Sequence, residues 1–484
     1  MKTDDYALLT DLYQLTMAQG YWECGKTDEQ ACFYMFFRDN PFHGGYAVAC
    51  GMAHLAEMLE NFEFTREDID YLASLDAPGG GKLFKSEFLE HLLSMKFDVD
   101  VMAVREGTVV FPNDPLVRVT GSIMQCQLLE TALLNCINFE TLVATKAARV
   151  CREAAAPVAE FGLRRAQGEA GGIFASRAAV VGGCASTSNV LAGKLFNLPV
   201  SGTHAHSWVM SFDSELEAFR AYARIMPKNC VLLVDTYDIT QGLKNAITVG
   251  LEMKKCGEHL SAIRIDSGDL AWYAKQARYM LDKAGLTDTG IVLSNDLDEY
   301  TIKSIRDAGA PVTSWGVGTK LATAYDQPAL GGVYKLSAKK IGDGPWQDCL
   351  KVSGQSTKLT IPGVLDARRY YHESGKIAGD MVFDVNTGVQ SERIVDPADE
   401  LRQKNLAGKK YVTLLEPLCV KGEVVLPSEH RDALVAQRRC REQLGTLDES
   451  QKRMLNPHSY PVGLEQTLFN RRHDLVARLL GLQE

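Results

Sequence analysis

The chain has 484 residues, 46% hydrophobic and 23% charged, enough for more than one small domain and a large core. Its 52 basic and 61 acidic side chains leave a formal charge of −9, which disfavours wrapping nucleic acid or lying on an anionic membrane. The twelve cysteines are scattered, the nearest pair being Cys24 and Cys32, and no C-x-x-C points to a zinc or redox motif.

The N-terminal stretch MKTDDYALLTDLYQLTMAQGYW is acidic and broken by polar residues, without the apolar core of a signal peptide. No later segment approaches a membrane span, so a reducing cytoplasm is the expected setting. APGGGKLF, residues 77 to 84, resembles a phosphate loop but lacks the leading glycine and the hydroxyl after Lys82, and reads as a solvated loop. VREGTVVFPNDPLVRVTGS, residues 104 to 122, alternates apolar and polar about FPNDP and predicts an antiparallel hairpin. EFGLRRAQG sets Phe161 ahead of Arg164 and Arg165, which suits a flat anionic ring or, equally, a core aromatic beside solvated arginines. GGCASTSNV, residues 182 to 190, offers hydroxyl and amide donors for a ligand, or a helix cap through Ser186, Thr187 or Ser188.

LPVSGTHAHSWVMSF follows, with His204 and His206 one residue apart at an expected strand end. H-x-H at a strand end can bind metal, but such a site needs histidines on later strand tips. His259 precedes its strand and the next is His372, so the metal reading fails for want of ligands. A lone histidine nucleophile or acid remains, against a plain hydrogen-bonded imidazole.

The middle of the chain then beats regularly. NCVLLVDTYD ends in Asp235 and Asp238, HLSAIRIDSGD in Asp266 and Asp269, GIVLSND in Ser294, Asn295 and Asp296, and PVTSWGVGT in Gly318 and Thr319. Each run is short, β-branched and polar only at its C-terminal end, as strands buried on both faces are. Between them DLAWYAKQARYMLDKAG places Leu270, Tyr273, Ala274, Ala277, Leu281 and Ala284 on one helical stripe, with Gly285 as the stop. Strand, polar tip and helix in repetition imply parallel strands with crossover helices, in a doubly wound sheet or a barrel. Gly316-Val317-Gly318 is the nearest approach to G-x-G-x-x-G, but it is late and lacks the third glycine, which favours a barrel, not necessarily closed.

Arg264 and Asp266 lie two apart on a strand and point to one side. They are either a structural ion pair or an anion site with a carboxylate for a developing cation; Asp235 one strand earlier shifts the balance toward function. GVGT, with its free backbone N–H groups, is a weak phosphate-cradle signal. After the beat, LGGVYKLSAKKI to KIAGDMVFDVNTG is β-rich, and the tail from about Ser428 reads as helical and charged. The expected division is an N-terminal α/β domain over 1–125, a catalytic barrel over 126–325, a β-rich return over 326–425 and a helical extension over 426–484.

DLYQLTMAQGYW, FGLRRAQG, GTHAHSW, DTYD, IRIDSGDL, VLSNDLDE, GVGT and LGGVYKL, in this order and spacing, resemble nicotinate phosphoribosyltransferases from about residue 6 to beyond 370. The resemblance implies the type II phosphoribosyltransferase fold, an irregular parallel α/β barrel with an α/β domain built from N-terminal and post-barrel segments. It implies transfer from phosphoribosyl pyrophosphate to nicotinate in NAD salvage, with Mg²⁺ and with ATP as a co-substrate hydrolysed alongside, hence a ligase. By the same resemblance His206 is the phosphorylated histidine, and Asp235 and Asp266 are the carboxylates facing the ribosyl cation. Phe161, Thr203 and Arg264 resemble nicotinate contacts, Arg164 lies near substrate, and Gly318 and Thr319 resemble the 5′-phosphate cradle, with Ser294 a further binding residue. Tyr13 resembles a tyrosine that crosses a homodimer to complete the partner's site. His204 receives no catalytic role, and the Mg²⁺ ligands are not indicated. The rivals are a nicotinamide enzyme, disfavoured because CASTSNV has no acid to accept from an amide NH₂, and a silent scaffold, disfavoured by the intact set of polar tips.

Overall fold

The computed structural model describes residues 6–352 and 359–481. The chain divides into two units, residues 1–142 with 329–484, and residues 143–328.

In the first unit, seven strands form a sheet in the order 347–348, 333–340, 30–36, 117–122, 100–103, 416–420, 423–424. Gln30–Phe36 is antiparallel to Val333–Lys340 on one side and to Val117–Ser122 on the other, so early and late segments share one sheet. All its residues but the first are buried, which is why QACFYMF is apolar without alternating. A second sheet runs 403–405, 393–395, 462–465, 377–384, 365–371, 410–413.

Two expectations are corrected here. Residues 104–122 do turn, with the Phe111 N–H donating to Asp114 Oδ2 at 3.0 Å and Asn113 at φ 72°. The arms nevertheless part: Val109–Val110 pairs with Ala47–Val48, and Val117–Ser122 with Gln30–Phe36 and Asp100–Ala103. Pro112 and Pro115 remove two N–H donors beside the turn, where a hairpin ladder would start. The tail is also not purely helical. Between the helices Ala433–Thr446 and Gln466–Leu479, Val462–Glu465 runs parallel to Ile377–Asp384 and antiparallel to Arg393–Val395. Leu464 and Leu468 pack in the core cluster with Tyr34, Phe36, Leu365 and Val382. A four-residue strand is too short to register as a period in the sequence.

The second unit is an α/β layer of six parallel strands in the order 186–187, 158–160, 314–317, 290–293, 262–265, 231–233. Crossover helices include Ile239–Lys255, Leu270–Lys283 and Glu299–Asp307. The acids expected at the polar tips divide by position. Asp238 and Asp269 are N-caps, accepting from Gln241 N–H at 2.7 Å and Trp272 N–H at 3.0 Å, as does Asp298, an acid outside the expected tips, from Thr301 N–H at 2.7 Å. Asp235 and Asp266, nearer their strands, cap no helix: Asp235 accepts from the Asp266 N–H and Asp266 from Ser294 Oγ. On Leu270–Lys283 four of the six predicted stripe residues, Leu270, Ala274, Ala277 and Leu281, are buried, Tyr273 and Ala284 are half-buried at its margins, and Gly285 stops the helix at φ 74°.

One segment links the two edge strands of this sheet. Thr187 exchanges backbone hydrogen bonds with Pro199 and Ser201, both at 3.0 Å. Five residues after Pro199, His204 Nε2 accepts from the Leu233 N–H on the opposite edge at 3.2 Å.

Candidate functional site

The site grows from the register of three neighbouring strands. Arg264 pairs with Val292 on one side and Leu233 on the other, which levels the tips that follow: Asp266, Ser294 and Asp235. Ser294 Oγ donates to Asp266 Oδ1 at 2.6 Å and accepts from Arg264 Nε at 2.7 Å. Arg264 Nη1 donates to Thr203 Oγ1 at 2.9 Å, and Nη2 lies 3.3 Å from Asp266 Oδ1. A guanidinium with this many charge-assisted contacts is held in one orientation. Its carbon sits 5.7 Å from the centre of the Phe161 ring, within cation–π range.

Asp235 Oδ2 accepts from the Asp266 N–H at 3.0 Å and from Ser267 Oγ at 2.6 Å, while its Oδ1 is buried without a hydrogen-bond partner. Two carboxylates converge here with one oxygen unspent, and such a pair favours a cation between or beside them. Phe161 lies against the glycines of the neighbouring strand. A Cβ on Gly316 would stand 2.7 Å from the Phe161 ring, and one on Gly318 would stand 3.2 Å from the Phe161 carbonyl oxygen. Glycine is thus required at 316 for the edge of the Phe161 ring to come this close to the strand. Arg164, Arg165, Asn295, Asp296 and Thr319 complete the wall of the same cavity.

The two histidines separate by role. His204 is buried; since Nε2 accepts from Leu233, its proton belongs on Nδ1, 3.3 Å from the Ala205 carbonyl oxygen. Burial, with smaller contributions from the nearby Arg264 and His206, holds its pKa below the usual imidazole value against the opposing pull of the Ala205 carbonyl. His206 is not at a strand end as expected, because it opens the short helix His206–Met210. Its Nδ1 lies 3.1 Å from Thr236 Oγ1 and its Nε2 4.0 Å from Asp266 Oδ2, so it borders the carboxylates.

Thus Phe161, Arg164, Thr203, His206, Asp235, Arg264, Asp266, Ser294, Gly318 and Thr319 gather at one end of the parallel sheet. Tyr13 belongs to the first unit, half exposed on the helix Leu12–Glu23. Two donors of GGCASTSNV are spent inside the fold: Asn189 Nδ2 donates to the Gly172 carbonyl oxygen at 3.3 Å and to Ser176 Oγ at 3.2 Å, and Thr187 Oγ1 donates to Glu160 Oε2 at 2.6 Å. Thr236 and Glu160 carried no expectation. A threonine beside an aspartate and an acid before a phenylalanine have no signature without the fold.

Two other features compete for attention. A cavity of about 660 Å³ lies between the helices Glu215–Ile225 and Ile239–Lys255, but its walls are mostly apolar and no strand tip reaches it. Among the described residues, Cys50, Glu106 and Glu140 of the first unit bring metal-type atoms within 4.8 Å of one another. There Glu106 Oε1 already accepts from the Gly51 N–H at 2.8 Å and Glu140 Oε1 meets His54 Nδ1 at 2.9 Å, which accounts for both as structural groups.

Residues 8–138, 157–356 and 366–472 match, in turn, the N-terminal domain, family and C-terminal domain models of nicotinate phosphoribosyltransferase. A Bacillus subtilis nicotinate phosphoribosyltransferase is 41% identical over 99% of this chain and 97% of its own length. The crystal structure of human nicotinic acid phosphoribosyltransferase superposes with a TM-score of 0.84 at 31% identity, covering 97% of this chain and all of that one. A nicotinate-nucleotide pyrophosphorylase from Pyrococcus furiosus, 21% identical over 92% of this chain and 97% of its own, shares the fold with a TM-score of 0.69.

Proposed function

The chain belongs to the nicotinate phosphoribosyltransferase family, and we propose that it joins nicotinate to phosphoribosyl pyrophosphate in NAD salvage at the cluster around Arg264. One observation carries this reading: Arg264, Asp266, Ser294 and Thr203 form a single hydrogen-bonded set beneath the Phe161 ring. An aromatic face, a fixed cation and hydroxyl donors are what a planar anionic ring needs, and carboxylates one strand over are what a ribosyl cation needs.

In this mechanism the pyridine of nicotinate stacks on Phe161, with its carboxylate toward Arg264 and Thr203. Arg164 and Arg165 hold phosphate oxygens, and the 5′-phosphate sits at Gly318 and Thr319. As the C1–pyrophosphate bond lengthens, positive charge develops on the ribose and the carboxylates of Asp235 and Asp266 stabilise it. The pyridine nitrogen then forms the new bond to C1. Preference for nicotinate over nicotinamide rests on the arginines, since the Thr187 hydroxyl and the Asn189 amide are engaged elsewhere. The residues fit Mg²⁺, because Asp235 offers an unpartnered buried oxygen and Asp266 a second hard ligand. Bound there with the pyrophosphate, the ion would neutralise charge on the departing group.

ATP acts through His206. A ring nitrogen attacks the γ-phosphorus, ADP departs with the bridging oxygen, and water later cleaves the P–N bond to release phosphate. The phosphoryl group brings about −2 of charge to the edge of the carboxylate pair, which biases substrate binding. The segment from Pro199 to His204, bonded to both edge strands, supports reading the six-stranded sheet as an irregular barrel. Leu9, Leu12, Tyr13 and Met17 form an exposed apolar face, which supports a homodimer in which Tyr13 completes the partner's site. Twelve free cysteines suit a reducing cytoplasm, and no helix of the described residues is long and apolar enough to cross a membrane. The test is product formation from nicotinate or nicotinamide, with and without ATP. The reading expects nicotinate mononucleotide from nicotinate, more of it with ATP, and is overturned by equal or greater use of nicotinamide.

A further inference from the structure

Glu160 ends the strand Val158–Glu160, directly before Phe161, and its side chain is fully buried. Its carboxylate draws together three separate pieces of the second unit. Oε1 accepts from the Gly162 N–H, and Oε2 accepts from Ser176 Oγ at 2.9 Å and Thr187 Oγ1 at 2.6 Å. Ser176 lies on the helix Gly168–Val181 and Thr187 on an edge strand, and Asn189 Nδ2 extends the set by donating to Ser176 Oγ at 3.2 Å.

A buried carboxylate satisfied by neutral donors is costly to keep unless its geometry is needed. Here the tied loop is the one that carries Phe161. On the other side Phe161 N–H donates to the Val317 carbonyl oxygen at 2.8 Å, and Gly162 is packed so closely that a Cβ would meet Gly318 O at 2.8 Å. The backbone on both sides of the Phe161 ring is therefore clamped, from one side by the strand and from the other by Glu160.

We propose that Glu160 is a positioning residue for nicotinate: it does not touch substrate, but it fixes the Phe161–Gly162 turn so that the ring is held over the Arg264 guanidinium. The inference rests on the reading of the site given above. Glutamine at 160 keeps an oxygen for the Gly162 N–H, and its NH₂ can donate to both Ser176 Oγ and Thr187 Oγ1; the Ser176 proton then goes to the Gly172 carbonyl oxygen at 2.8 Å, and only the Thr187 proton loses its acceptor. Alanine keeps none of this. Gly318 and Thr319 open the helix Thr319–Ala322, where the Leu321 and Ala322 N–H groups hold the Gly318 carbonyl oxygen at 3.1 Å, so beyond the Gly162 contact the sugar-phosphate end has support of its own and is less exposed to the change.

The experiment compares wild type, Glu160→Ala, Glu160→Gln and Thr187→Val by steady-state kinetics with each substrate varied in turn, alongside thermal melting. Glu160→Ala is expected to raise the nicotinate KM at least tenfold and the phosphoribosyl pyrophosphate KM less than threefold, and Glu160→Gln to restore the nicotinate KM to within about threefold of wild type. Equal changes in both KM values, or a fall in Tm with KM unchanged, overturn the positioning role. If Glu160→Ala does not fold, Thr187→Val decides: a nicotinate KM raised about threefold supports the role and an unchanged one ends it. A wild-type protein that does not use nicotinate overturns the functional reading instead, and an active wild type with unaffected variants overturns only this inference.

Discussion

Replacing Arg264 by lysine keeps a positive charge but removes the fork that organises the site. The guanidinium donates to Ser294 Oγ at 2.7 Å and Thr203 Oγ1 at 2.9 Å and lies 3.3 Å from Asp266 Oδ1. A single ammonium can hold one of these directions well, not all three. Charge-assisted hydrogen bonds contribute about 1.5–3 kcal/mol each. The partners are not orphaned by the change, because Ser294 Oγ still donates to Asp266 and Thr203 Oγ1 still donates to the His204 carbonyl oxygen. The loss should therefore fall near the low end, about 2–3 kcal/mol of transition-state binding, on the order of 30- to 150-fold in kcat/KM for nicotinate. Steady-state kinetics at saturating phosphoribosyl pyrophosphate measure it, with thermal melting to separate folding from binding. A kcat/KM within threefold of wild type in a folded Arg264→Lys protein would refute the reasoning and remove Arg264 from the pocket.

Mixing inactive Tyr13→Ala and Asp266→Ala subunits should restore activity through hybrid sites; confirmed heterodimers without activity would rule out a shared site. Incubation with γ-³²P-ATP should give acid-labile, base-stable label in wild type and His204→Ala but none in His206→Ala, and His206→Ala should keep slow, ATP-independent synthesis. Label surviving in His206→Ala would refute the phosphohistidine assignment. His204 should make wild-type stability pH-dependent. Its folded pKa is depressed by burial, so the unfolded chain binds more protons, and stability present above the ordinary imidazole value of 6.5 is lost as pH falls toward the folded value. Denaturant midpoints between about pH 7 and 5 should therefore decline more steeply in wild type than in His204→Ala; parallel declines would contradict the burial argument.

The parallel sheet was legible because strands buried on both faces must be continuously apolar, and their crossover helices need caps. Asp238 and Asp269 look the same in sequence as Asp235 and Asp266, yet the first pair sits where helix N–H groups need acceptors and the second does not. Distance from the strand separates them: Asp235 and Asp266 follow the apolar run at once, while Asp238 and Asp269 stand three residues later. What stayed hidden depends on pairing between distant segments. Alternation in 104–122 announced strands but not that their partners would be Ala47–Val48 and Gln30–Phe36. Val462–Glu465 gains its place from the neighbours Ile377–Asp384 and Arg393–Val395, not from a pattern of its own. Glu160 was likewise hidden, since an acid at a strand end is ordinarily solvated and only the convergence of Gly162, Ser176 and Thr187 makes it internal.

The central claim is that the cluster at the sheet's end holds nicotinate and the ribosyl phosphate together. A crystal structure with nicotinate mononucleotide bound tests it most directly. The account predicts the pyridine ring stacked on Phe161, its carboxylate within hydrogen-bond reach of Arg264 and its phosphate at Gly318 and Thr319. Nucleotide bound instead in the cavity between Glu215–Ile225 and Ile239–Lys255, or with ring and phosphate reversed at the Arg264 cluster, would contradict it.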